Sequence, residues 1–146
     1  MRIAFGNDHA AAETRQKLVE WIGGRGHDVI DFGTKNVESV DYPDFASQVA
    51  RAVASGQADL GVLVCGSGVG MSIAANKVRG VRAALCVDEY SAEMGRRHND
   101  ANVCCLRSRE QETKKNLHIL EKFLDTQFEA GRHSQRVEKI RELEGC

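Results

Sequence analysis

The stretch VLVCGSGVGMS, from Val62 to Ser72, decides how this chain folds. A short apolar run ends in a cysteine, a glycine-rich turn follows at once, and the turn opens into a pattern of helical type. The unit is strand–turn–helix, and a strand apolar at every position is of the kind buried on both faces. Cys65 therefore stands at the carboxyl end of a buried strand and beside a helix N-terminus. Unpaired N–H groups and the positive end of the helix dipole favour negative charge there and push a thiol toward its reactive thiolate. The segment suits an anionic intermediate, a phosphorylated ligand, or both. A tight turn around an inert buried cysteine remains the alternative on spacing alone.

The same alternation runs outward in both directions. Arg2–Gly6, Asp28–Gly33, Val81–Val87 and Asn102–Leu106 read as four further strands beside Leu60–Cys65. Between them lie helical patterns: Leu18, Trp21 and Ile22 ending near Gly23, Gly24 and Gly26; Phe45, Ala46, Val49, Ala50 and Val53 after Pro43; Val69 to about Lys77; and a helix through Met94. Leu117, Leu120, Phe123 and Leu124 mark a long helix, and Val137, Ile140 and Leu143 a last amphipathic segment with a thin apolar stripe. Repeated βα units of this kind imply an α/β fold with a five-stranded parallel sheet covered on both faces, whose ligands bind beyond the carboxyl ends of the strands. The distinctive residues fall at those ends: Asp8 and His9, Cys65 to Gly70, and Asp88.

Bulk properties narrow the function. The 146 residues suit one domain spanning 1–146, which buries roughly 68–70% of its unfolded surface without disulfide staples. A net charge of -1 gives no footprint for nucleic acid or an anionic membrane. The N-terminus lacks a signal-peptide core and no run is long enough to span a bilayer. Five cysteines, at 65, 86, 104, 105 and 146, form no C-x-x-C pair, and their odd number points to reduced thiols in a cytoplasmic protein without a zinc ribbon. Adjacent Cys104 and Cys105 fit a strand with one thiol on each face, and both, with Cys86, read as inert core residues.

The glycine turn is not a dinucleotide fingerprint, because the last glycine position is occupied by Met71. It has no Gly-Lys-Ser/Thr of a phosphate-binding P-loop, and no arginine six residues after the cysteine as in a cysteine phosphatase. Asp88 lies at a distance that keeps a ribose-binding role open. What remains is a loop of N–H groups beside a thiol, able to hold a developing oxyanion. Asp8 reads equally well as a helix N-cap, and His9 as a surface histidine. Arg97-His98-Asn99-Asp100 ends a helix, where a histidine gains from the dipole without any chemistry. His98 lies just before the fifth strand, away from the carboxyl rim of its own sheet, so any catalytic part it plays falls in a neighbouring subunit's site. Arg132 and Arg136 share a helical face and make a phosphate clamp or an ordinary solvated face. Arg107 and Arg109 flank the end of the fifth strand.

Taken in order, NDHAA, DYPDFA, CGSGVGMSIAANK, RHNDANV and GRHSQRV resemble the type B ribose-5-phosphate isomerases, a family with allose- and galactose-6-phosphate relatives. The resemblance runs from Ile3 to about Ile140. It implies a three-layer α/β/α Rossmann-like sandwich and a homodimer with shared active sites, often paired into tetramers; the thin apolar stripe of the C-terminal helix fits packing on a partner subunit. It implies reversible aldose–ketose isomerisation of a sugar phosphate through an enediolate, with no metal and no organic cofactor. Cys65 matches the family's base and His98 the residue that helps open the furanose. Asp8, Tyr42 and Asn99 match sugar contacts. Gly66, Ser67, Gly68, Val69 and Gly70 match the loop that holds the enediolate oxygen, Ser67 counting with the catalytic set. His9, Arg109, Arg132 and Arg136 match positions near the phosphate.

The chain departs from the pattern in three places. Ser67 replaces a frequent threonine and keeps its hydroxyl. Met71-Ser72-Ile73-Ala74 offers no carboxylate where some members carry the base, which leaves Cys65 as the candidate. Arg107 replaces an expected glycine, and either adds to anion binding or points to water. The expected activity is interconversion of D-ribose 5-phosphate and D-ribulose 5-phosphate. The alternatives are the same chemistry on allose 6-phosphate, galactose 6-phosphate or a tetrose phosphate, or a non-catalytic nucleotide-binding module.

Overall fold

The computed structural model describes residues 1–145; Cys146 lies outside the described residues. Five strands form one parallel sheet in the order β2-β1-β3-β5-β4. They are β1 (Arg2–Asn7), β2 (Asp28–Asp31), β3 (Leu60–Cys65), β4 (Ala83–Leu85) and β5 (Val103–Arg107). The helices are α1 (Arg15–Gly24), α2 (Tyr42–Ala54), α3 (Val69–Ala75), α4 (Glu89–Asn99), α5 (Thr113–Asp125) and α6 (Arg132–Glu142), with a short 3-10 turn at His9–Ala11. No helix among the described residues is long and apolar enough to cross a membrane.

β3 is the middle strand and is buried at all six positions. Its side chains alternate between two cores. Leu60, Val62 and Val64 join Ile3, Phe5, Leu18, Ile22, Leu120 and Phe123 on the face covered by α1, α4 and α5. Leu63 and Cys65 join Val49, Val53 and Met71 on the face covered by α2 and α3. The result is the expected three-layer sandwich. Cys104 and Cys105 split between the two cores as the strand reading requires, and Cys86 joins Cys104.

The strand order creates a switch point between β1 and β3. The chain leaves β1 toward one face, through α1, and leaves β3 toward the other, through α3. The two loops part, and a crevice opens beyond the strand ends, where ligands of such sheets bind. Register fixes what faces it: Asn7 pairs with Val64, and Cys65 with Arg107.

Element ends differ from the periodicity for local reasons. β2 stops at Asp31, whose carboxylate accepts the Gly33 N–H and pairs with the buried Arg15. β4 is an edge strand of three residues, because side chains take over on either side of it. Asn102 and Asn76 supply acceptors for the Arg82 and Ala83 N–H groups, and Ser91 Oγ accepts that of Val87. α3 ends two residues early where the Asn76 amide turns to the carbonyls of Ser72 and Ala83. α6 follows α5 without a strand between and rests on α4 of its own chain through buried His133 and Val137, leaving Leu143 exposed.

Phe123 anchors α5 in the core and carries the Arg96 guanidinium over its ring at 5.6 Å. Truncating it to alanine costs about 3–5 kcal/mol of stability, measured as a lower urea midpoint at unchanged slope; an unchanged midpoint contradicts this packing.

Candidate active site

Cys65 closes β3 and is 4% exposed, on the floor of a cleft of about 710 Å³. The Gly68 N–H donates to its Sγ at 3.2 Å, a contact that a thiolate accepts more strongly than a thiol. The N–H groups of Gly66 and Ser67 donate to no protein acceptor among the described residues. The turn therefore gives one N–H to the sulfur and leaves two more without a protein acceptor, the kind of donors that can stabilise a developing oxyanion.

Two glycines in the turn are dictated by sterics. Gly68 has φ +78°, and a Cβ on it would lie 2.6 Å from Leu85 Cδ1 and 3.0 Å from the Leu106 backbone. A Cβ on Gly70 would lie 2.6 Å from the ring of Tyr42, which stands at the first turn of α2. The phenol thus lies flush on the loop because residue 70 has no side chain. Ser67 Oγ accepts the Val69 N–H, and Arg109 lies over Gly66.

Asp8 and His9 follow β1, and of the two only Asp8 lines the cleft. Asp8 is buried and accepts the Ala10 N–H as a cap. The Val40 N–H donates to His9 Nδ1 at 3.1 Å, which leaves Nε2 to carry the proton of the neutral ring as a donor. The Ser108 hydroxyl lies 3.0 Å from the Ala10 carbonyl and 3.2 Å from that of Cys65, able to donate to either, and so ties the two rim loops together.

Arg107 also lines the cleft. Its Nε donates to the Arg109 carbonyl at 2.9 Å and its guanidinium reaches Glu110 at 3.3 Å. It neither points freely to water nor is an unengaged anion donor: it braces the loop that carries Arg109. Asp88 caps α4, accepting the Ser91 N–H, and this bond and the Ser91 hydroxyl hold its carboxyl below the usual carboxylate range. Its side chain is engaged in the cap and does not line the cleft, which removes the support for a ribose-binding role.

His98, Asn99, Arg132 and Arg136 do not line this cleft. They form a second group where α4 and α6 meet. Asn99 lines a separate cavity of about 540 Å³ under the end of α6. The His98 ring stacks on that of His133, with centroids 4.2 Å apart and planes 12° from parallel. Glu129 Oε2 lies 3.7 Å from His98 Nε2 and 3.2 Å from the Arg97 guanidinium. No sequence pattern singles out Glu129, and only adjacency to Arg132 marks His133. The donor atoms of His98, Glu129 and His133 lie within 4.8 Å of one another. An imidazole ligates a metal near its ring plane, however, so two stacked rings cannot both address one ion unless the stack breaks.

The site is thus a thiol held by a loop N–H at the switch point of a parallel α/β sheet, with Arg107 and Arg109 on the same cleft. The chain belongs to the ribose/galactose isomerase family, whose model matches residues 3–140. It is 48% identical to the ribose-5-phosphate isomerase B of Escherichia coli, over 98% of this chain and 96% of that one. Its fold superposes on the solved ribose-5-phosphate isomerase B of Clostridium thermocellum with a TM-score of 0.96, at 48% identity, covering 99% and 97% of the two chains. A structure of the Mycoplasma genitalium ribose-5-phosphate isomerase B with bound ribulose-5-phosphate is also similar, with a TM-score of 0.94 at 41% identity over 98% and 95%.

Burial pushes the thiols of Cys104 and Cys105 well above the usual cysteine value, with neighbouring thiols adding to it. In a Cys146→Ser background, a disulfide reagent should modify one thiol of the native protein, and Cys65→Ala should abolish that reaction. Labelling of Cys86, Cys104 or Cys105 without denaturant contradicts this assignment.

Proposed function

We propose that the whole chain, 1–146, acts as one isomerase domain that interconverts D-ribose 5-phosphate and D-ribulose 5-phosphate. The observation that carries the proposal is the Cys65 sulfur bonded to the Gly68 N–H, with the Gly66 and Ser67 N–H groups free beside it. Isomerisation moves a proton from C2 of the open aldose to C1, and a proton from O2 to O1, through an enediolate. It needs a base, an oxyanion site and a remote anchor. In this reading the Cys65 thiolate takes the C2 proton and returns it to C1. The N–H groups of the 66–70 loop, with the Ser67 hydroxyl, hold the enediolate oxygen. Asp8 and Tyr42 border the sugar, and His9 and Arg109 stand near its phosphate.

The remaining parts come from a second copy. His98, Asn99, Arg132 and Arg136 sit apart from the Cys65 cleft of their own chain, and all but partly buried His98 are exposed. A homodimer that brings this group over a neighbour's cleft supplies a ring opener in His98, a sugar contact in Asn99 and a phosphate clamp in the two arginines. The buried free thiols fit a reducing compartment, and we place the enzyme in the cytoplasm. The chemistry asks for no metal or organic cofactor. The name of the matching family also covers galactose, so six-carbon 6-phosphates are the substrates to compare.

Turnover in EDTA, fastest on ribose 5-phosphate beside allose 6-phosphate, galactose 6-phosphate and erythrose 4-phosphate, is the expected result. Preference for another sugar moves the substrate, and silence on all four removes the proposal. Cys65→Ala should lower kcat by about 10²-fold or more while ribose 5-phosphate still protects the protein thermally; near-normal turnover rejects Cys65 as the base. Arg136→Ala should raise KM with a smaller change in kcat, and an unchanged KM takes Arg136 out of the clamp.

A further inference from the structure

The loop between α5 and α6 is built onto the end of α4. The Glu129 N–H donates to the Arg97 carbonyl at 3.0 Å, and the Glu129 carboxylate meets the Arg97 guanidinium at 3.2 Å. Arg97 is held in turn by Glu93, one turn back, at 3.2 Å. Ala130 then takes a left-handed conformation, φ +56°, that a residue with a Cβ adopts only when its surroundings impose it. The turn it makes starts α6 with buried His133 lying on the His98 ring. Two separate contacts thus converge on one half-exposed imidazole: a stacked ring on its face, and a carboxylate 3.7 Å from its Nε2 edge.

We propose that His133 and Glu129 are positioning residues for His98, the stack fixing the plane of its imidazole and the carboxylate placing negative charge where a proton on Nε2 sits. The inference rests on the isomerase reading, in which His98 opens the sugar ring. In that step the C1–O4 bond of the furanose breaks, O4 gains a proton, O1 loses one, and C1 becomes the aldehyde. An imidazole at the end of a helix is otherwise free to turn about its outer torsion, and proton delivery to a ring oxygen demands a fixed direction. His133 suits the passive part. Burial first, then neighbouring His98, Arg132 and Arg136, lower its basicity below the usual histidine range against the opposing pull of Glu129. Arg97 and Glu93 complete the charged groups around the cluster.

The chemistry of the two substrates separates this role from a general structural one. Ribulose 5-phosphate carries its phosphate on the only oxygen that would close a five-membered ring onto C2, so it is open-chain. Exchange of its C1 hydrogen with D2O through the enediolate uses the Cys65 machinery and skips ring opening. In the full-length enzyme, His133→Ala should lower turnover of ribose 5-phosphate roughly tenfold or more, with C1 exchange held within about twofold. His133→Phe keeps a ring on His98 and should recover most of the turnover. Glu129→Gln should lower turnover on the cyclic substrate and spare the exchange. Unchanged turnover in His133→Ala overturns the inference, as does equal loss of both activities, or a phenylalanine variant as impaired as the alanine one. A wild-type chain that neither isomerises nor exchanges removes the isomerase reading itself, and this inference with it.

Discussion

Burial of β3 on both faces is the constraint on which the rest of the structure depends. A strand with no polar face has its backbone groups satisfied by parallel neighbours and its side chains shared between two cores. Helices must then cover both faces, and the crossovers that carry them leave the middle strands in opposite directions. The crevice that results is a product of topology, independent of any ligand. What the sequence adds is the residue at the end of the strand. Cys65 is the last position of the ladder and the first to face the crevice, so its sulfur is fixed by the sheet while its donors come from a turn.

The turn shows how tightly steric and chemical demands are joined. Gly68 allows the chain to reverse against Leu106 and, by doing so, points its N–H at the Cys65 sulfur. Gly70 lets the Tyr42 ring lie on the loop. A side chain at either place would move a group that the proposed chemistry requires. The brace between Arg107 and the Arg109 carbonyl does similar work on the other rim, stiffening the loop that lays Arg109 over Gly66. A charged residue where relatives of this kind are expected to have glycine is thereby accommodated through backbone contacts.

Sequence legibility followed the range of the interactions. Leu60–Cys65 was read residue for residue because its apolar run and its glycine turn are adjacent in the chain. The two-faced placement of Cys104 and Cys105 follows from the period of a strand alone. β4 and the end of β2 were read too long, since Asn76, Asn102 and Asp31 terminate them with side-chain bonds that periodicity does not register. Asp88 had the spacing of a ribose acceptor and is a helix cap, a reading available from its Ser91 partner three residues on. The His98–Glu129–His133 cluster was not visible as a unit. It joins residues more than thirty positions apart through a loop whose turn rests on a left-handed alanine, which no propensity favours.

The chain thus carries two separate groups, a thiol and its donors at the strand ends and a histidine with two arginines where α4 meets α6, which the proposed function joins across two subunits. The account requires that one chain's thiol work with another chain's histidine. Subunit mixing measures this directly. Cys65→Ala and His98→Ala, each inactive alone on ribose 5-phosphate, are co-refolded in equal amounts. The account predicts recovery of roughly a quarter of wild-type activity, because half of the dimers are mixed and each mixed dimer holds one intact site. No recovery in a mixture shown to contain hybrid dimers would contradict it.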